Sequence, residues 1–166
     1  MGTYVLIHGG WGGGWNWRRV TPLLRRAGHE VHTPSMTGLG DRAHLAGPHI
    51  DLETHIRDVV SVFEAEELSD VVLVGHSYAG MVITGAADRL ADRIRRLVYL
   101  DAFVPEHGKA STDYLAPARA VHLHEEGRAS GMVSMLPLPV LGLTQPEDVA
   151  WVARRRCCSV AKKDVG

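Results

Sequence analysis

Four short apolar runs, each closed by glycine or proline and separated by helix-period stretches, leave this chain few folds to choose from. Residues 4–7 (Tyr4-Val5-Leu6-Ile7) stop before Gly9-Gly10, and residues 30–33 stop before Pro34. Residues 71–74 stop before Gly75, and residues 97–100 are closed by Pro105. Runs this short and this apolar read as strands buried on both faces. Between residues 15 and 27, Trp17, Val20, Leu23, Leu24 and Ala27 share one helical face, and Gly28 stands where a C-cap glycine belongs. Residues 35–50, rich in Gly, Pro and His, read as a loop. Asp51 can cap a second helix whose Leu52, Ile56, Val59, Val60 and Phe63 form a stripe, and a third helix spans about 77–90. Parallel strands need crossovers, which these helices supply. The expectation is α/β: a mostly parallel sheet of about four strands flanked by helices, with right-handed connections.

After Pro105 the rhythm changes. Residues 107–143 carry scattered Pro and Gly and no clear strand, with apolar patches at 132–136 and 138–143, and residues 146–155 suit one more short helix. The expected organisation is a core over 1–106, a lid-like helical segment over 107–156 and an irregular tail over 157–166. The 166 residues, 45% hydrophobic, suffice for one domain with a real core. With 18 basic against 19 acidic residues, nothing in the charge favours nucleic acid or an anionic membrane as partner. The adjacent pair Cys157-Cys158 builds neither a disulfide framework nor a four-ligand zinc site. No apolar run nears the ~18 residues of a membrane span. A cytoplasmic protein without metal or cofactor is the expectation.

The strongest chemical signal is Val74-Gly75-His76-Ser77-Tyr78-Ala79-Gly80, between a strand and a helix. A nucleophile elbow needs a sharp turn that lifts a serine hydroxyl above the sheet edge, with small residues two positions either side. Gly75 meets the first requirement; Ala79 replaces the usual second glycine, with Gly80 after it. The competing reading is a serine that only caps the helix. The second signal is His8-Gly9-Gly10-Trp11-Gly12-Gly13-Gly14-Trp15, just after the first strand. Acyl transfer needs two backbone N–H groups aimed at the developing oxyanion, and Tyr78 and Gly10 are the candidates. A dinucleotide loop is excluded, because Trp15 or Trp17 falls where the third glycine must stand. No Gly-Lys-Ser/Thr follows either, so this is not a P-loop.

With these two motifs in this order, the chain resembles the α/β-hydrolase family, in its branch of methylesterases, salicylate-binding protein and hydroxynitrile lyases. The matching segments are residues 4–17, 23–33, 38–41, 71–80 and 97–105. The resemblance implies a partial α/β-hydrolase fold, with Ser77 as nucleophile and Gly10 and Tyr78 as oxyanion donors. It implies a small carboxylic ester as substrate, an acyl-enzyme intermediate, and residues 107–156 as the lid that shapes the pocket. Two other functions stay open: a non-catalytic remnant binding small apolar ligands, and hydroxynitrile-lyase-like chemistry.

The catalytic order in this fold is Ser, then Asp or Glu, then His. After Ser77 the histidines are His107, His122 and His124, all in the lid-like segment. His122 and His124 are spaced like metal ligands but lack carboxylate or cysteine companions at ligand spacing. Asp101, ending the fourth run, is a candidate acid. These gaps lead to the expectation that the chain is truncated near Arg156. Residues 97–100 would then form an exposed apolar edge through which the protein self-associates.

Overall fold

The computed structural model describes residues 1–130, 132–155 and 159–160. Strands Thr3–Ile7 (β1), Glu30–His32 (β2), Val71–Ser77 (β3) and Ile94–Ala102 (β4) form a parallel sheet in the order β2-β1-β3-β4. The chain leaves β1 toward β2 on one side and returns to β3 on the other. The carboxyl ends of β1 and β3 therefore flank the topological switch point, where open α/β sheets bind their ligands.

Alternation along the strands divides the core between two faces. Val5, Ile7, Val71 and Leu73 pack with Ile56, Val59, Phe63, Val82 and Ile83 on one face. Leu6, Val72 and Val74 pack with Val31 and Trp17 on the other. The first group joins the sheet to helices Leu52–Ala65 (α2) and Ala79–Leu90 (α3). Asp51 starts α2 as expected, accepting a hydrogen bond from the Thr54 N–H at 2.8 Å. Asp51→Ala should cost about 1 kcal/mol, read as a lowered thermal midpoint.

Several boundaries differ from the sequence expectation. Residues 15–27 are not one helix but a 3-10 turn, Gly14–Trp17, followed by helix Thr21–Arg26 (α1), which carries Pro22 in its first turn. Pro22 has no N–H to give a preceding helical turn, so the helix starts again beside it. Leu23, assigned to the apolar face, is exposed. A 3-10 turn, Gly40–Leu45, lies inside the expected 35–50 loop, and β4 begins three residues before the apolar run.

Beyond Pro105 the sequence reading missed helix Pro117–Ser130 (α4), whose His, Glu and Arg residues leave no apolar stripe to detect. Helix Pro146–Ala153 (α5) lies where expected. Strand Met132–Val133 (β5) pairs antiparallel with Ser159–Val160 (β6), so part of the tail expected to be irregular is extended. Cys157 and Cys158 lie outside the described residues. Among the described residues β4 is an edge of the sheet, and Leu100 on it is 48% exposed. No helix of the described residues is long and apolar enough to cross a membrane.

Candidate active site

Ser77 ends β3 with φ 55°, in the left-handed region that a serine enters only when its surroundings impose it. This is the strained strand-to-helix turn that the motif calls for. The turn is tight enough that a Cβ at Gly75 would stand 2.8 Å from the Ala79 carbonyl oxygen and from Ile83 Cδ1. The Phe103 N–H donates to the Ser77 carbonyl at 3.1 Å and ties the elbow to the end of β4.

The glycine loop lies directly against this elbow. A Cβ at Gly9 would be 3.0 Å from Ser77 Cβ and 3.1 Å from His76 Nδ1. Both ends of the loop are pinned. The His8 ring donates from Nδ1 to the Gly9 carbonyl at 2.8 Å and accepts at Nε2 from the Met36 N–H at 3.1 Å. Those partners require the neutral ring, and burial pushes the His8 pKa down to about 4. At the far end, the Gly13 N–H donates to Asn16 Oδ1 at 3.2 Å and the Gly14 N–H to Ser35 Oγ at 2.8 Å.

Tyr78 opens α3 as its N-cap, which sets its backbone at the positive end of the helix. Its hydroxyl donates to His55 Nδ1 at 3.0 Å, and His55 Nε2 donates to the Thr37 carbonyl at 3.0 Å. Burial raises the Tyr78 pKa and lowers that of His55, so both groups stay neutral here. The loop they reach is fastened to α2 by Asp58, which accepts from the Thr37 N–H at 2.6 Å, from Thr37 Oγ1 at 2.8 Å and from Arg42 Nη1 at 2.9 Å.

A cavity of about 550 Å³, large enough for a small organic ester, opens over Ser77. From the core it is lined by Gly9, Gly10, Trp11, His76, Ser77 and Asp101, and from the later segment by Met135, Val140, Leu141, Leu143 and Trp151. Gly10 and Ser77, singled out from sequence, thus meet in one cavity, and the apolar patches at 132–136 and 138–143 wall it. Tyr78 is not part of the wall.

Three links hold the later segment over the cavity. The Trp11 indole N–H donates to the Val133 carbonyl at 2.8 Å. Arg19 grips the Asp148 carboxylate with contacts of 2.6 and 3.1 Å. The guanidinium carbons of Arg18 and Arg155 each lie 3.3 Å from the ring centroid of Trp151, which is held between them. Because Arg19 is 59% exposed, its pair is screened by salt. Arg19→Ala should cost at most about 1 kcal/mol, with faster amide exchange in α5 as the measurement.

Asp101 also lines the cavity, at φ 44°, and its electrostatic neighbour is His76. Burial lowers the His76 pKa and the Asp101 carboxylate partly offsets this. Among the described residues no histidine hydrogen-bonds to Ser77 Oγ, and His107, His122 and His124 do not line the cavity. Contrary to the sequence expectation, His122 does have a carboxylate companion: Glu126, 3.6 Å away and one turn along α4. No group of three His, Cys, Asp or Glu among the described residues is arranged to hold a metal. Sequence reasoning missed Trp11, His55 and the Arg18–Trp151–Arg155 stack. Trp11, His55 and Arg18 act through partners distant in the chain, which no local pattern marks, whereas Trp151 and Arg155 lie one helical turn apart.

Comparison with known proteins follows the same lines. A profile of the alpha/beta hydrolase family matches residues 4–161. The carbendazim hydrolyzing esterase of Nocardioides sp. (strain SG-4G) is 66% identical over 108 residues, covering 65% of this chain and 45% of that protein. Salicylic acid-binding protein 2 of Nicotiana tabacum is 32% identical over 104 residues, covering 62% of this chain and 40% of that protein. The chain spans less than half the length of these two curated relatives. Among solved structures, an extracellular alpha/beta-hydrolase from a Paenibacillus species superposes with a TM-score of 0.83 at 26% identity. That superposition covers 98% of this chain and 72% of the other.

Proposed function

Because the chain belongs to the alpha/beta hydrolase family, we propose that it is a serine hydrolase of small carboxylic esters, with Ser77 as the attacking group. Ser77 Oγ adds to the ester carbonyl, and the backbone N–H groups of Gly10 and Tyr78 receive the oxyanion of the tetrahedral intermediate. Collapse expels the alcohol, which takes up the serine proton, and leaves an acyl-serine that water then cleaves. The observation that carries this reading is the φ of 55° at Ser77, a strained elbow facing a cavity walled by the glycine loop and the lid-like segment. Small esters suit that cavity: Met135, Val140, Leu141 and Leu143 line it with apolar groups, and Arg18, Arg19, Asp101 and Asp148 add charged ones. The family supplies the general base from a histidine that follows the acid in chain order.

Incubation with p-nitrophenyl acetate, followed by mass analysis of the intact protein, tests the proposal. The wild type should gain one acetyl group on Ser77, and Ser77→Ala should gain none there. Equal nitrophenol release by both proteins, with Ser77 unmodified, would remove the hydrolase reading and leave a fold that binds small apolar ligands beneath the lid. Oxyanion hole and binding alone sustain roughly 10³–10⁴-fold catalysis over water, so acetylation should be detectable even where the base is weak.

Self-association belongs to the same proposal. Among the described residues β4 is an edge of the sheet, with Leu100 exposed on it, and such an edge offers its backbone groups to a second chain. Light scattering at rising protein concentration should show growing mass; a monodisperse monomer throughout would count against it.

A further inference from the structure

We propose that Arg18 is an anion-binding subsite in the cavity over Ser77. The preferred substrate is then an ester that carries a carboxylate away from its scissile bond, a refinement that rests on reading Ser77 as above. Four side chains of acidic or strongly basic residues line the cavity: Arg18, Arg19, Asp101 and Asp148. Arg19 and Asp148 answer each other, through contacts of 2.6 and 3.1 Å. Asp101 has His76 as its electrostatic neighbour, a ring whose neutral form burial favours. Among the described residues no carboxylate pairs with Arg18. Of the two cavity-lining arginines, it is the one that the described residues leave without an opposite charge.

The guanidinium is also held in place. Its carbon lies 3.3 Å from the ring centroid of Trp151, and Trp151 lines the same cavity. Contact with an aromatic face leaves the N–H groups of the planar fork available, and a carboxylate can take two of them. The contact also restricts a long side chain beforehand, so less rotamer freedom is lost when an anion binds. Chain topology brings Arg18 and Asp101 in from different sides. Arg18 follows the turn whose Trp17 packs with Leu6 of β1 and Val31 of β2, whereas Asp101 belongs to β4. Between β1 and β4 runs β3, which ends in Ser77. A carboxylated ester at Ser77 is therefore drawn toward Arg18 and repelled by Asp101, and the two charges together favour one orientation.

Hydrolysis of p-acetoxybenzoate and of its neutral isostere p-acetoxybenzamide tests this. The readout is the ratio of their kcat/KM values, in which any loss common to both esters cancels. The wild type should prefer the anion, chiefly through a lower KM. Arg18→Gln should cut the ratio about 10-fold, the low end for hydrogen bonds to charged groups, because Arg18 is exposed. Arg18→Lys, which keeps the charge without the fork, should restore part of it. Raising the salt from about 0.05 to about 0.5 M should lower the wild-type ratio and leave that of Arg18→Gln unchanged. Arg155→Gln is the structural control, since Arg155 contacts Trp151 equally closely but does not line the cavity; its ratio should stay at the wild-type value. No preference in the wild type, an unchanged ratio in Arg18→Gln, or an equal fall in Arg155→Gln would overturn the proposal. If the wild type cleaves neither ester and gains no acetyl group, the nucleophile reading fails, and calorimetry decides the subsite by itself. Benzoate should bind the Ser77→Ala protein more tightly than benzamide, and adding Arg18→Gln should abolish the difference. Equal affinities in the Ser77→Ala protein, or a difference that survives Arg18→Gln, would overturn it.

Discussion

Phe63→Ala should destabilise the protein by about 3–5 kcal/mol, much of the stability a domain of this size possesses. Phe63 is fully buried near the end of α2 and is among the largest side chains with no exposure. It is packed in the cluster that joins α2 and α3 to the sheet, beside Leu68 and Leu90. Arg93, in the connection from α3 to β4, lies with its guanidinium carbon 5.8 Å from the Phe63 ring centroid. From there Arg93 donates to the Leu68 carbonyl at 2.7 Å. Truncation would thus open a cavity under the junction of α2, β3 and β4, and that junction is bridged by hydrogen bonds that cannot easily collapse into it. Urea unfolding monitored by far-UV circular dichroism measures the loss. Phe63→Leu, which keeps most of the volume, should cost less than half as much. Equal costs for the two would show that the site is not closely packed.

Lowering the pH from 7 to 5 should remove about 2 kcal/mol of stability through His8 alone. In the folded state burial holds His8 neutral, with its pKa near 4, whereas the unfolded chain titrates near 6.5. Between those values the unfolded state binds a proton that the native state refuses, so stability falls as pH falls through the window. His55, buried and also lowered, adds in the same direction. The carboxylates separate cleanly from this effect. Glu53, held near 2 by Arg89 and Arg57, loses its contribution only below about 4.5. Urea midpoints at pH 7, 6 and 5 would measure the slope, and His8→Gln should flatten it. A slope unchanged in that variant would mean that another group carries the dependence. Because His8 bonds both Gly9 and Met36, its protonation would also loosen the glycine loop beside Ser77.

The strand runs, the Asp51 cap and the elbow at 75–80 could be read before any coordinates, because each reports a force acting over a few residues. An apolar run between turn formers marks a buried strand wherever it packs. Gly75 before Ser77 marks a turn too tight for a side chain. The misses have equally definite causes. The expected 15–27 helix breaks at Pro22, where a missing N–H outweighs the apolar stripe. Helix α4 escaped because Pro117–Ser130 carries no apolar stripe.

Length shifted in meaning as well. The described residues of this 166-residue chain build a four-stranded sheet packed on both faces, and the match covers 45% of a relative that is 66% identical over 108 residues. Local pattern was enough for the α/β class, the position of Ser77 and the glycine loop opposite it, since those follow from chain stiffness and sterics between near neighbours. Strand order, the wall that Met135, Val140 and Trp151 raise over Ser77, and the reach of Trp11 to Val133 came from folding alone. Such contacts join residues more than a hundred positions apart, and they form when whole surfaces dock, a process to which no short stretch of sequence is sensitive.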